Sequence, residues 1–402
     1  MINGEDCHSI TGGALLVDLY KPYVQNDRQK KLVDAAGELA DMFSERGEKY
    51  DREDQFPYQN FDDLKQGGYG NLSLPKEYGG EEINLYELVM IQERLATGDA
   101  ATALSIGWHL GGLMEITETR AWNEHIFKDL CRKIVDNKAL INRAATEPAT
   151  GSPTRGGLPQ TKAVKTDGGW TLTGRKSFTS MARVLDYSLI SATIDDTDEK
   201  GFFLVDHNLK GVSIEETWDT ISMKGTGSDD LVLTDVHLPA SSLVERDSAA
   251  VGKDIPKAWL LHIPACYIGV AIAARNYAIQ FAKDYSPNSL PGPIKDVPEV
   301  QRKIGEMELE LFNARQILYS VADKWVREPS KRRDMASELA SVKHVVTNSA
   351  FQIVDTAMRI VGARGLFRDN PMQRYYRDVR AGLHNPPMDD MVIGMLAKNA
   401  LE

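Results

Sequence analysis

The texture of this chain changes twice, and that double switch restricts its fold more than any other feature. From residue 30 to about 138 apolar side chains recur at spacings of three and four, as in Leu32, Ala35, Ala36, Leu39 and Phe43. That is the period of helices with one buried face. Between about 139 and 244 the pattern becomes short runs rich in Val, Ile, Thr and aromatics, at 160–166, 170–177, 186–194, 201–205 and 231–238. Asp167-Gly168-Gly169 between the first two is a hairpin-turn signal. From 255 the helical period returns in long segments, 257–284, 299–327, 335–361 and 389–401, with a four-proline loop at 286–298.

Helices, then strands, then helices predict a multidomain α+β protein. The expected divisions are an irregular N-terminal arm (1–27), an N-terminal helical domain (28–138), a small β-barrel or sandwich domain (139–245) and a C-terminal four-helix bundle (246–402). Shorter helices are expected at 61–65, 84–97, 101–117 and 122–136. With 402 residues the chain is long enough to bury a large core.

A net charge of −11 argues against nucleic acid or an anionic membrane as the main ligand. Cys7, Cys131 and Cys266 are too scattered for a zinc site or a disulfide framework, which suits a reducing cytoplasm. No apolar run reaches the roughly 18 residues a membrane span needs, and the acidic N-terminal stretch does not read as a signal peptide. No metal-ligating cluster is evident, because the histidines lie in unrelated segments and His-Glu-x-x-His is absent. Gly225-Thr226-Gly227-Ser228 resembles a phosphate loop, but no helical pattern follows it, which argues against a dinucleotide fingerprint.

Two polar segments stand out: Thr146-Glu147-Pro148-Ala149-Thr150-Gly151-Ser152, and Lys176-Ser177-Phe178-Thr179-Ser180 about 25 residues on. The first sets hydroxyls and free N–H groups on a turn. The second puts an aromatic ring beside two hydroxyls at a strand end. A flat, polar-edged, phosphorylated cofactor needs a ring wall, donors for its heteroatoms and N–H groups for its phosphate.

These segments resemble the TEPxAGS and K-x-W-I-T motifs of the acyl-CoA dehydrogenase superfamily. Leu74-Pro75-Lys76-Glu77-Tyr78-Gly79-Gly80, Gly362-Ala363-Arg364-Gly365 and Arg377-Asp378 extend the likeness over roughly residues 28 to 400. The resemblance implies that fold and a flavin cofactor, FAD or FMN. It places Thr146 beside the ring system, Ser152 on phosphate, Phe178 as the aromatic wall and Ser180 facing N5, with Thr179, Gly362 and Gly365 as further cofactor-binding positions. It also implies a homotetramer.

The departures bear on the reaction. The family's dehydrogenases remove an α-proton with a glutamate, and that position falls at Pro386 in Leu383-His384-Asn385-Pro386-Pro387-Met388. The other position the family uses falls in Ala258-Trp259-Leu260-Leu261, which has no carboxylate either. The Arg-x-x-Phe-Gly that reaches a neighbouring subunit's FAD is missing from the 286–298 loop, which fits FMN or an exchangeable flavin better than a permanently held FAD.

Leu383-His384-x-Pro386 is instead similar to the L-H-x-P segment of the superfamily's reduced-flavin monooxygenases, such as dibenzothiophene monooxygenase. That likeness implies catalytic roles for His384, His109 and Ser180, since imidazole can donate or accept a proton near neutrality. Each histidine also has a simple structural use: His109 could satisfy a buried carbonyl and His384 could cap a turn. Three functions follow. The leading one is a reduced-flavin monooxygenase acting on a small organic or sulfur-containing molecule and served by a flavin reductase. The second is an acyl-CoA dehydrogenase acting on an acyl thioester with a relocated base, Asp389 or Asp390, and an electron-transfer flavoprotein as partner. The third is a non-catalytic protein that binds flavin or an acyl thioester.

Overall fold

A computed structural model describes residues 19–149, 157–247 and 255–402. The N-terminal region is helical: α1 (Asp27–Arg52), α2 (Tyr58–Gln66), α3 (Leu85–Ala96), α4 (Ala100–Thr119) and α5 (Glu124–Asn137). Asn84 starts α3 with a reciprocal cap, its side chain accepting from Glu87 N–H while Glu87 accepts from Asn84 N–H, each at 3.0 Å. Within the expected arm, Tyr20 and Tyr23 are buried in the core and Tyr23 stacks on Tyr319.

The middle region is an eight-stranded sheet: β1 (Ile141–Ala144), β2 (Lys162–Thr166), β3 (Gly169–Lys176), β4 (Tyr187–Ile194), β5 (Glu199–Asp206), β6 (Val212–Glu215), β7 (Asp230–Pro239) and β8 (Leu243–Arg246). Its order is β6-β7-β3-β2-β4-β5-β8, with β1 paired parallel to β4. The Asp167-Gly168 turn closes the β2–β3 hairpin with Thr166 opposite Gly169. A side chain at Gly169 would meet Leu238 O at 2.1 Å, so only glycine fits there. Trp170 and Phe203 pack edge to face in the sheet's own apolar cluster.

The C-terminal region comprises α6 (His262–Asp284), α7 (Pro298–Arg327), α8 (Ala336–Val361), α9 (Pro371–Ala381) and α10 (Asp389–Leu401). Helix α8 packs on α6, α7 and α9. The stretch Ala258–Asp284 is long and apolar enough to cross a bilayer by length and composition, which corrects the reading that no such run exists. Its most apolar 18-residue window is 94% buried inside the protein, so core packing accounts for its apolarity. The two helical regions share one core, because α3 packs against α6 and α7. Arg315 of α7 pairs with Glu93 of α3 at 2.8 Å in that core, with its guanidinium over the rings of Tyr20, Tyr23 and Tyr319.

Candidate functional site

The two polar segments of the sequence are joined by a buried ion pair. Glu147 and Lys176 face each other with side chains 1% and 0% exposed. Glu147 also accepts from Thr161 N–H (3.1 Å) and Thr161 Oγ1 (2.7 Å), and Lys176 donates to Ser191 Oγ at 3.1 Å. Burial opposes both charges. It pushes the Lys176 ammonium down to about 8, while hydrogen bonds from Lys176 and Thr161 hold Glu147 below the usual carboxylate range. Ser177 N–H donates to Thr146 O at 3.0 Å, completing the seam. Glu147 and Lys176 therefore set the spacing between the two segments. Ser152, expected on phosphate, lies outside the described residues.

Beyond β3 the chain turns through Phe178 and Met181, both in the left-handed region at φ +55° and +56°. Non-glycine residues hold that conformation at a cost of order 1–3 kcal/mol, and such strain gathers at ligand sites. The turn leaves Phe178 64% exposed, its ring edge-on to Trp218 at 5.6 Å. Thr179 Oγ1 and Ser177 Oγ are buried without a hydrogen-bond partner. The exposed aromatic ring suits the face of a flat cofactor, while the two hydroxyls without partners lie beneath the surface. Next to it Phe56, Arg183, Trp218 and Lys224 line a small cleft open to solvent.

Ser180 is held by the loop at 223–229. Thr179 N–H donates to Asp229 O (3.2 Å), Met181 N–H to Thr226 O (2.7 Å) and Ala182 N–H to Gly227 O (3.3 Å). Three buried hydroxyls run in series: Ser180 Oγ to Ser228 Oγ at 3.0 Å, Ser228 Oγ to Thr226 Oγ1 at 2.8 Å, and Thr226 Oγ1 to Met223 O at 2.9 Å. Gly227 is required here, since its φ is +47° and a Cβ would meet Phe56 at 2.5 Å. Sequence reasoning set Gly225-Thr226-Gly227-Ser228 aside after testing it only as a phosphate loop. The missed signal was a pair of hydroxyls flanking a glycine.

Helix α9 clamps this loop. Asp378 accepts from Met223 N–H at 2.6 Å, and Arg377 donates to Ile221 O and pairs with Asp51 at 2.6 Å. Burial pushes the Asp378 carboxyl up to about 6.

The remaining candidates divide. His109, a candidate for proton handling, is fully buried. Its Nδ1 accepts from Ile141 N–H at 3.0 Å and its Nε2 meets Gly70 O at 3.0 Å. Both nitrogens serve the backbone and burial pushes the ring down to about 4, an arrangement that favours the structural use over proton handling. His384 is exposed on the turn after α9. Gly362 ends α8 at φ +68°, and a Cβ on Gly365 would meet Met358 Sδ at 2.6 Å, so each has a local structural reason to be glycine. Asp389, a candidate relocated base, instead accepts from Asn348 Nδ2 at 3.0 Å and pairs with His344 at 3.0 Å. Among the described residues no group of three or more His, Cys, Asp and Glu is placed to hold a metal ion.

Comparison with known proteins agrees with this architecture. The N-terminal, middle and C-terminal domains of acyl-CoA dehydrogenase match residues 26–121, 142–236 and 261–385. A Bacillus subtilis (strain 168) protein named "Putative acyl-CoA dehydrogenase YdbM" is 53% identical over 94% of this chain and 99% of its own length. L-evernosamine nitrososynthase of a Micromonospora species is 26% identical over 88% of this chain and 85% of its own. Among solved structures, FMN-bound TdsC from Paenibacillus sp. A11-2 superposes with a TM-score of 0.79 at 21% identity, covering 89% of this chain and 94% of that one. The chain belongs to the acyl-CoA dehydrogenase family, whose members are flavin-dependent oxidoreductases.

Proposed function

We propose that this protein is the oxygenase half of a two-component flavin system. It takes reduced flavin from a separate reductase and acts on a small organic or sulfur-containing molecule. One observation carries the reading: the positions from which the family's dehydrogenases abstract an α-proton hold no available carboxylate. A base must lie within hydrogen-bond reach of the proton it removes. Pro386 occupies one position, and Ala258-Trp259-Leu260-Leu261 the other. Asp389 accepts from Asn348 and lies 3.0 Å from His344, and Asp378 accepts Met223 N–H. The nitrososynthase and FMN-bound TdsC relatives support the same reading.

In this reading bound flavin supplies the electrons and the site for O₂. Phe178 and Trp218 give it a wall, and Thr146, Thr179 and Ser180 fix its polar edge. The motif seam Glu147–Lys176 keeps these groups in register. His384, on the exposed turn ahead of Pro386-Pro387, holds and returns a proton near the reacting edge.

The test is rapid mixing of O₂ with reduced FMN in the presence of the protein. The reading predicts that H₂O₂ appears later than from free reduced FMN, and that His384→Phe removes the delay without lowering thermal stability. Release at the free-flavin rate in the wild type would refute it. The relative named as an acyl-CoA dehydrogenase favours a second reading, α,β-desaturation of an acyl thioester with electron-transfer flavoprotein as acceptor.

A further inference from the structure

His262 opens α6 and is fully buried, yet neither of its ring nitrogens has a hydrogen-bond partner. A neutral imidazole carries one donor and one acceptor, and a buried polar group left bare calls for a water or a ligand to meet it. Burial keeps this ring uncharged by pushing it down to about 3. Its walls are aromatic. Trp259, three residues earlier, stacks on it at 5.9 Å, and Trp108 of α4 meets it edge to face at 4.8 Å. The Trp259 indole is fixed in turn by its N–H, which donates to Glu115 at 3.0 Å. Helix α4 makes room for the group with glycine: a Cβ on Gly107 would meet His262 Nδ1 and Gln92 Nε2 at 2.3 Å each, and one on Gly111 would meet Trp259 at 2.3 Å. Gln92 Nε2 donates to Ala103 O at 2.8 Å, while Gln92 Oε1 is buried without a partner. One turn along α4 from Trp108 the packing stops. Gly112 is buried, but a Cβ there would meet nothing within 4 Å. Protein interiors are close-packed, so open space beside a buried helix face has room for something else.

We propose that the space between α4 and α6 beside Gly112 is a subsite for a small, uncharged heteroaromatic molecule, held by the rings of Trp108 and Trp259 and hydrogen-bonded to His262. Indole rings receive a flat ligand by offset or edge contacts. A ring N–H on the ligand can donate to the bare imidazole nitrogen or to Gln92 Oε1, and a neutral imidazole offers an anion no charge to pair with. The inference rests on the reading above only in taking this molecule as the substrate. Trp259 lies in the 258–261 stretch that holds the second proton-abstracting position, which turns this end of α6 toward the reacting molecule.

The experiment is calorimetric titration of the full chain with indole and with benzothiophene, which has nearly the same shape but no N–H. The proteins are wild type, His262→Phe and Gly112→Leu, with thermal melting as the check on folding. Wild type is expected to bind both probes. His262→Phe should weaken indole about tenfold or more, the scale of one hydrogen bond lost at a buried group, and leave benzothiophene within about twofold. Gly112→Leu fills the open space with a good helix former, so it should abolish binding of both probes while the melting temperature stays at or above that of wild type. Failure of wild type to bind either probe would overturn the proposal and leave a trapped water as the partner of His262. Equal weakening of both probes by His262→Phe, or unchanged binding in Gly112→Leu, would overturn it too. The delay in H₂O₂ release tests the oxygenase reading separately. Probe binding as expected in a protein that shows no delay would uphold the pocket and remove that reading, and a delay without probe binding would remove the pocket alone.

Discussion

Ser180 shows how little of a functional side chain's behaviour belongs to that residue. Its oxygen is placed by strained turns at Phe178 and Met181 and by partners nearly fifty positions downstream. Ser180→Val should weaken flavin binding by about 1–3 kcal/mol, the usual range for removing a partner from a buried polar group, while melting temperature stays near wild type. Unchanged flavin affinity by equilibrium titration would contradict the contact. His109 makes an opposite prediction about chemistry. Burial pushes its ring down to about 4, from 6.5 in the unfolded chain. Below pH 6.5 the unfolded chain binds a proton that the folded one refuses, so this group's contribution to stability falls between about pH 6.5 and 4. Buried His207 and His262 act in the same direction, whereas Asp378, raised to about 6, adds stability as pH falls through that value. Nitrogen NMR should find the His109 ring neutral at pH 5, and a protonated ring at that pH would show that it is not sealed in as described. The sequence offered His109 and His384 on equal terms. Nothing local distinguishes them, because the partners of His109 come from Gly70 and from Ile141, far away in the chain.

Elements with strong internal patterns were legible, and elements built on tertiary contacts were not. The long helices follow their apolar period, and the Asp-Gly turn closes the hairpin it signals. Strands β1, β6 and β8 have four residues each, too few for alternation to register. Helix α9 was missed because its buried face mixes Met372 and Val379 with Arg374 and Asp378, charges it spends on partners elsewhere in the fold. The Glu147–Lys176 pair belongs to this scale, since it joins the turn after β1 to the end of β3. Lys176→Met should cost about 3–5 kcal/mol by stranding a buried carboxylate and should lower flavin affinity as the two segments separate. A melting temperature equal to wild type would contradict the seam. Close helix contact gives a companion test: a Cβ at Gly269 of α6 would meet Glu93 O of α3 at 2.5 Å. Gly269→Ala should therefore lose about 1–3 kcal/mol in chemical denaturation, and an unchanged midpoint would show that the crossing relaxes freely.

At the scale of the whole molecule, the order of helices, strands and helices was readable from periodicity, and the family from motifs in sequence. The shared core of the two helical regions was not, because contact between α3 and α6 leaves no trace in the pattern of either helix. The apolar side chains Leu309 and Phe312 stand exposed on α7, and Ile393 and Leu401 on α10. These faces, with the family's habit of association, lead us to expect a homotetramer, or at least a dimer, by light scattering at micromolar concentration; a 44.7 kDa monomer would contradict it. The central claim is that the chain keeps the family's flavin site without a base for α-proton abstraction. The most direct measurement is anaerobic addition of butyryl-CoA and longer acyl-CoAs to the flavin-loaded protein while the oxidised flavin spectrum is followed. The account predicts that the spectrum is not bleached, and bleaching by any of these thioesters would contradict it.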